Sequence, residues 1–360
     1  MDRRSTSALF LALALPLAQD KLDPIQKTGV QERVSVDRVV VDAYVTDTRG
    51  NTVSGLTTTD FRLRVDGHNV PIESTDWIAA DQPEVEPAAA PFLASTSSEL
   101  PTARPEPGAE QFSPPGRLFI LFFQTDLAEA TRATGLLRIA FWARRFVETL
   151  LPTDRVAVVS FDSHLKLRQD FTTDREKLVV AIHDAIRTGS PGPPDREAVP
   201  SLVPSFDFEA ARLAVTPEKA IAIVARAADP IVGAKSMIYF GYGLRTIGGL
   251  TGPNPRDSRD LAEALPAVGK ARISIFTLDT PAVGHHTLAR TLQGLADVTG
   301  GFYQKAAFPP DLVLDRVLRA TAGRYVIVFK KPDLPRGSHT IELSLVGRPG
   351  RVLSKSRYLD

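Results

Sequence analysis

RVAVVSFDSHLKLRQDF, from Arg155 to Phe171, decides the fold. Its first half, RVAVVSF, is a nearly unbroken apolar run of strand length. That is the pattern of a strand covered on both faces, as in a parallel sheet flanked by helices. Its second half, HLKLRQDF, reads as another strand, and only Asp162-Ser163 separates the two. A parallel crossover needs a dozen residues or more, so these two strands form an antiparallel hairpin. A mostly parallel sheet with one antiparallel edge strand follows.

The neighbouring sequence repeats the covered-strand pattern in LFILFF (Leu118 to Phe123), SMIYF (Ser236 to Phe240) and ARISIFTL (Ala271 to Leu278). Helical periods lie between them. Leu136, Ile139, Ala143, Phe146 and Leu150 recur at helical spacing before Pro152. DREKLVVAIHDAIRTG opens on an Asp174 cap and closes at Gly189. Further helices are expected at about Pro217 to Ala228, Arg256 to Val268, Thr287 to Val298 and Pro310 to Ala322. The alternation predicts a doubly wound, Rossmann-like α/β domain over residues 117–322.

The flanks differ. Residues 30–78 read as β: Val39, Val41, Ala43 and Val45 alternate, Thr48 to Asn51 is a turn, Phe61, Leu63 and Val65 share a face, and Asp66-Gly67 marks a tight turn. Residues 323–360 return to β with RYVIVFK, then Ile341, Leu343 and Leu345 in alternation, then RVLSKSRYL. Neither flank has enough strands to stand alone, so the two are expected to pair as a small β domain. Residues 79–116 carry eight prolines among Ala, Ser and Glu and have no apolar period, which predicts a linker. Arg3 and Arg4 precede the apolar run Ala8 to Ala18. This fits a signal peptide over residues 1–18, and hence an extracytoplasmic protein, periplasmic or secreted. The run is too short to span a bilayer, and no later segment is long enough for a membrane helix.

Composition narrows the function. Lys plus Arg is 43 and Asp plus Glu is 42, so no net charge favours nucleic acid. The chain has no cysteine, which excludes disulfides, thiolate catalysis and cysteine-ligated metal. No G-x-S-x-G elbow and no H-E-x-x-H motif occurs, and no catalytic residue or enzyme activity is expected.

Six motifs in order resemble the acidobacterial VWFA-related proteins, secreted chains built on a von Willebrand factor type A domain. They are V-T-D-x-x-G (Val45 to Gly50), G-L-T-x-x-D-F (Gly55 to Phe61), Asp66-Gly67, D-R-V-A-V-V-S-F-D (Asp154 to Asp162), QDFTTDREKL (Gln169 to Leu178) and ADVTGGFY (Ala296 to Tyr303). The resemblance spans about Val34 to Tyr358 and implies the same sheet with one antiparallel edge strand.

It also implies what a metal site would need. Metal-binding A domains end their first strand in D-x-S-x-S, and a Thr and an Asp from two further loops complete the set. Here Phe123, Thr125 and Leu127, or Gln124, Asp126 and Ala128, occupy those places. Gly241-Tyr242-Gly243 stands where the later Asp would be, and the Ser190 to Ser205 loop offers Ser190, Ser201 and Ser205 but no Thr. The expected site is therefore degenerate, with no cofactor. Asp126, with Glu129 one turn away, remains as a weak candidate ligand for Mg²⁺ or Mn²⁺, and its competing reading is a helix N-terminal residue.

Other candidates are weaker. GYGLRTIGG (Gly241 to Gly249) lacks a complete phosphate-binding pattern, and the adjacent His285 and His286 point apart on an extended chain. The expected function is metal-independent binding of an unknown protein or extracellular ligand at the C-terminal end of the sheet. Gln124, Thr125, Asp126, Ser190, Tyr242 and Asp279 would line that face, with Tyr242 as an aromatic contact. The alternatives are a metal-dependent adhesion domain using Asp126, and a hydrolase using Asp126, Asp162 and Asp279.

Overall fold

The central sheet has six strands in the order β10-β9-β8-β5-β6-β7. These are β5 (Leu118–Gln124), β6 (Arg155–Phe161), β7 (Leu165–Thr172), β8 (Lys235–Gly241), β9 (Ile273–Asp279) and β10 (Tyr303–Lys305). The computed structural model of the chain describes residues 37–83, 115–125, 130–187, 199–244, 259–280, 288–305 and 310–359. All neighbouring pairs are parallel except β6 with β7, which is antiparallel. The fold class is thus the doubly wound α/β arrangement with one antiparallel edge strand, and the short connection from Asp162 to His164, one residue longer than expected, forces that exception.

The unbroken apolar strands make sense once both faces are seen. On β5, Leu118, Ile120 and Phe122 pack on one side with α4 (Pro217–Ala228), α5 (Arg259–Lys270) and α6 (Ala289–Thr299). Phe119, Leu121 and Phe123 pack on the other with α1 (Ala130–Thr149), α2 (Arg175–Ile186) and α7 (Pro310–Ala320). All six side chains are 2% exposed or less, and each buried side chain of this size contributes roughly 1.5–3 kcal/mol. Asp174 caps α2 through the Glu176 and Lys177 amides, as its position predicts. α6 begins two residues later than periodicity suggests, the described part of α5 starts at Arg259, and α5 accommodates Pro266. A short helix, α3 (Phe208–Leu213), has too little period to be read from sequence.

The flanking segments pair, and they form two sheets rather than one. The remaining strands are β1 (Arg38–Thr46), β2 (Phe61–Val65), β3 (His68–Val70), β4 (Ser74–Ala79), β11 (Gly323–Lys330), β12 (Ser338–Leu345), β13 (Arg351–Ser354) and β14 (Arg357–Leu359). One sheet has the order β13-β1-β11-β4 and the other β14-β12-β2-β3. RVLSKSRYL therefore splits at Lys355-Ser356 and serves both sheets. Regular structure also continues through Ala79, so the expected linker begins later than residue 79. Most of that segment lies outside the described residues.

Val41, Ala43 and Val45 of β1 face the opposing sheet, where they meet Leu63, Val65, Phe61 and Ile341. Tyr325 closes this layer. Its ring packs on Phe61 and Trp77 at 5.3 and 4.8 Å. Its hydroxyl donates to the Val53 carbonyl and accepts from the Leu56 amide, both at 2.9 Å. The Gly55-Leu56-Thr57 motif is thereby tied to a strand 269 positions later in the chain.

The other face of β1 is where the alternation misleads. Tyr44 is 3% exposed and stands edge-on to Phe276 of β9 at 6.1 Å. Asp42 accepts from Nε and Nη2 of Arg272 at 2.9 and 2.6 Å and from Nε of Arg324 at 3.1 Å. Burial pushes the Asp42 carboxyl up, but Arg272, Arg324 and Lys355 outweigh it and hold the group far below the usual carboxylate range. The strand is covered on both sides because its outer face docks on the α/β sheet. The described residues belong to one compact unit.

Candidate functional site

Among the expected site residues, the structure describes Gln124, Thr125, Tyr242 and Asp279. Asp126, Ser190, His285 and His286 lie outside the described residues. Parallel strands β5, β8 and β9 end side by side, so Gln124, Gly241 and Asp279 come to one edge of the sheet.

The polar groups at this edge are turned inward. Gln124 is 1% exposed, and its Oε1 accepts from the Tyr239 hydroxyl at 2.9 Å and from the Tyr242 amide at 3.2 Å. Thr125 is also 1% exposed, and its amide donates to the Phe161 carbonyl at 2.7 Å. Asp279 is 3% exposed and accepts from the Tyr303 hydroxyl at 2.6 Å. Burial, then the hydrogen bond and charge of Asp279, raise the Tyr303 hydroxyl above its usual range.

Gly241 is required by this packing. A Cβ there would stand 2.5 Å from Gln124 Oε1 and would clash with the Tyr239 ring. Glycine lets the amide of Gln124 approach the backbone after β8, which is how Tyr242 N–H finds its acceptor. Replacing Gln124 with Leu removes that acceptor and leaves a buried hydroxyl and a buried amide without it. The expected cost is about 1–3 kcal/mol, read as a lower urea midpoint with an unchanged slope. A change within ~0.3 kcal/mol would show that the amide does not organise the tip.

Tyr242 is a correction. It was expected to present an aromatic contact between two glycines, but it is buried at 6% exposure and offers no ring to a partner. The sequence signal for exposure was the flanking Gly pair, and that pair instead serves close packing.

Asp162 and Asp279 are not gathered for acid–base work, and Asp126 lies outside the described residues. Asp162 sits in the β6–β7 hairpin, where it accepts from the Ser163 and His164 amides and pairs with Lys166. Burial pushes its carboxyl up, but Lys166 and these amides outweigh it and hold the group at about 2. Between β6 and β9 stand β5 and β8. Three strand spacings put Asp162 and Asp279 roughly 14 Å apart, beyond the ~5–9.5 Å that paired catalytic carboxylates need. Among the described residues, no group of three His, Asp or Glu is placed to hold a metal ion.

One organising residue was missed by sequence reading. Asp170 in β7 is 1% exposed and accepts from the Phe171, Leu202 and Val203 amides and from the Ser201 hydroxyl at 2.6–3.3 Å. It anchors the described end of the Ser190 to Ser205 loop. The Gln169-Asp170-Phe171 motif was a signal, but its partners lie more than 30 positions away.

No family model matches the sequence, and no curated protein does. Solved structures do match. A von Willebrand factor type A protein from Catenulispora acidiphila is 11% identical, with 69% of this chain and 68% of that chain covered and a TM-score of 0.40. BatB from Bacteroides thetaiotaomicron is 14% identical, with 57% and 99% covered and a TM-score of 0.36. Proximal thread matrix protein 1 from the mussel byssus, whose structure has a zinc-occupied MIDAS motif, is 14% identical, with 60% and 48% covered and a TM-score of 0.37. These scores are too low to carry an argument, so the fold rests on the strand pairing above. Among the described residues no helix is long and apolar enough to cross a membrane.

Proposed function

We propose that the chain is an exported, non-enzymatic protein-binding protein built on a von Willebrand factor A-type domain that works without a bound metal ion. The observation that carries this reading is the inward commitment of Gln124, Thr125 and Asp279 at the strand tips. A metal-dependent or hydrolytic tip needs those polar groups to face a ligand, and here they hold the fold together. The binding surface is assigned to the C-terminal end of the six-stranded sheet, where β5, β8 and β9 end side by side. Residues 117–322 carry the binding function in this reading, and the paired flanks 30–78 and 323–360 brace it. The partner is a protein or other extracellular ligand met outside the cytoplasm.

Two results test this. Expressed at full length in a bacterial host, the chain is expected in the extracytoplasmic fraction, trimmed near Ala18. An untrimmed chain in the cytoplasm contradicts export. A panel of ester, phosphate, peptide and glycoside substrates is expected to show no turnover above the Asp279→Ala variant. Turnover lost in that variant contradicts the non-enzymatic reading.

A further inference from the structure

A cleft of about 470 Å³ lies between the turn after β1, helix α7 and the start of β13. Its size is that of a small-molecule site. Four arginines line it: Arg49, Arg316, Arg319 and Arg351. Arg316 and Arg319 are three positions apart on α7 and share a helix face. Arg351 opens β13 opposite Thr46 of β1, which brings it beside the turn that carries Arg49. Three separate segments of the fold thus converge with like charge.

Among the described residues, none of the four arginines forms an ion pair. The one acid lining the cleft is Asp47, and its carboxylate accepts from the Arg49 and Asn51 amides and from Asn51 Nδ2. It shapes the turn, and among the residues lining the cleft four arginines stand against this single carboxylate. Asp297 of α6 also faces Arg351 electrostatically, and burial raises its carboxyl against the pull of that arginine.

One guanidinium is fixed in place. Arg316 lies 4.3 Å over the ring of Phe302, which is 1% exposed, and donates to Gln304 Oε1 at 3.2 Å. Burial, then the charges of Arg351 and Arg319, lower its pKa. A planar guanidinium held by stacking and one hydrogen bond still has donors for an oxyanion, and its fork matches phosphate or carboxylate geometry. Like charges drawn together in a preformed cleft are what a bound dianion would relieve.

We propose that this cleft binds a small organic dianion through a compact phosphate or dicarboxylate group. The site is separate from the strand tips of the six-stranded sheet, and it does not depend on the function proposed above.

Titration calorimetry of the full chain at physiological salt, with inorganic phosphate in one arm and succinate in the other, tests it. Saturable binding is expected in at least one arm, and the arm that binds identifies the anion. Arg316→Gln should weaken that binding at least tenfold, and Arg316→Lys should recover only part of the loss, because an ammonium cannot form the fork. Arg319→Gln, on an exposed side chain, should weaken it as well and guards against a folding defect in the first variant. No saturable heat with either probe, or an affinity in Arg316→Gln and Arg319→Gln equal to that of the unsubstituted chain, overturns the proposal.

Discussion

Replacing Asp42 with alanine is expected to destabilise the protein by about 3–5 kcal/mol, because it removes one partner from a buried ion cluster. Arg272 and Arg324 are 11% and 13% exposed, and both direct guanidinium nitrogens at Asp42. Lys355 adds a third cation, whose pKa is lowered by burial against the pull of Asp42. Without the carboxylate, these charges remain in the junction between β1 and the foot of the α/β sheet. The loss should appear as a lower urea midpoint, and Asp42→Asn should lose nearly as much because it restores shape but not charge. A loss under ~1 kcal/mol would mean the cluster is solvated and does not hold the two parts together.

The same cluster sets an acid limit. The folded pKa of Asp42 is depressed below its ordinary 3.8. A depressed carboxyl contributes stability that is present in full above the unfolded value and is lost as pH falls towards the folded one. Stability should therefore drop as pH falls below about 4, and the drop should be shallower in Asp42→Ala. Unfolding curves of both proteins between pH 2 and 6 would show this as a gap that narrows on acidification.

Asp170→Ala is expected to cost about 3 kcal/mol, since hydrogen bonds to a charged acceptor contribute ~1.5–3 kcal/mol each and several are lost together. The effect should be local as well as global. Leu202 and Val203 amides, now held by Asp170, should lose hydrogen-exchange protection before the central strands do. Asp170→Asn keeps an acceptor and should lose less. Unchanged protection at Leu202 and Val203 in the alanine variant would show that the loop is anchored by something else.

The α/β core was legible because its signals are local. Apolar runs such as Leu118 to Phe123 and Arg155 to Phe161 report two covered faces, and Asp162-Ser163 is too short for anything but a hairpin. Pairing of the flanks followed from their lack of partners. What stayed hidden depends on distant residues. The outer face of β1 looked solvated until Arg272 and Phe276 were placed against Asp42 and Tyr44. The split of Arg351 to Leu359 between two sheets leaves no mark in its alternation.

At the described part of the candidate site, the polar groups of the strand ends turn inward. Gln124 and Asp279 stand at strand ends on one edge of the sheet, with β8 between them. Their roles were not readable, because Tyr239 lies 115 positions from Gln124 and Tyr303 lies 24 from Asp279. Gly241-Tyr242-Gly243 suggested an exposed ring, and the close approach of Gln124 to Gly241 explains why the chain is buried there instead.

Titration of the purified full chain with Mg²⁺ and with Mn²⁺, beside an Asp126→Ala variant, tests the central claim most directly. A protein whose strand-tip polar groups serve the fold should give no saturable binding heat with either ion, and the variant should behave identically. Saturable binding that disappears in Asp126→Ala would contradict the account and establish a metal-dependent site.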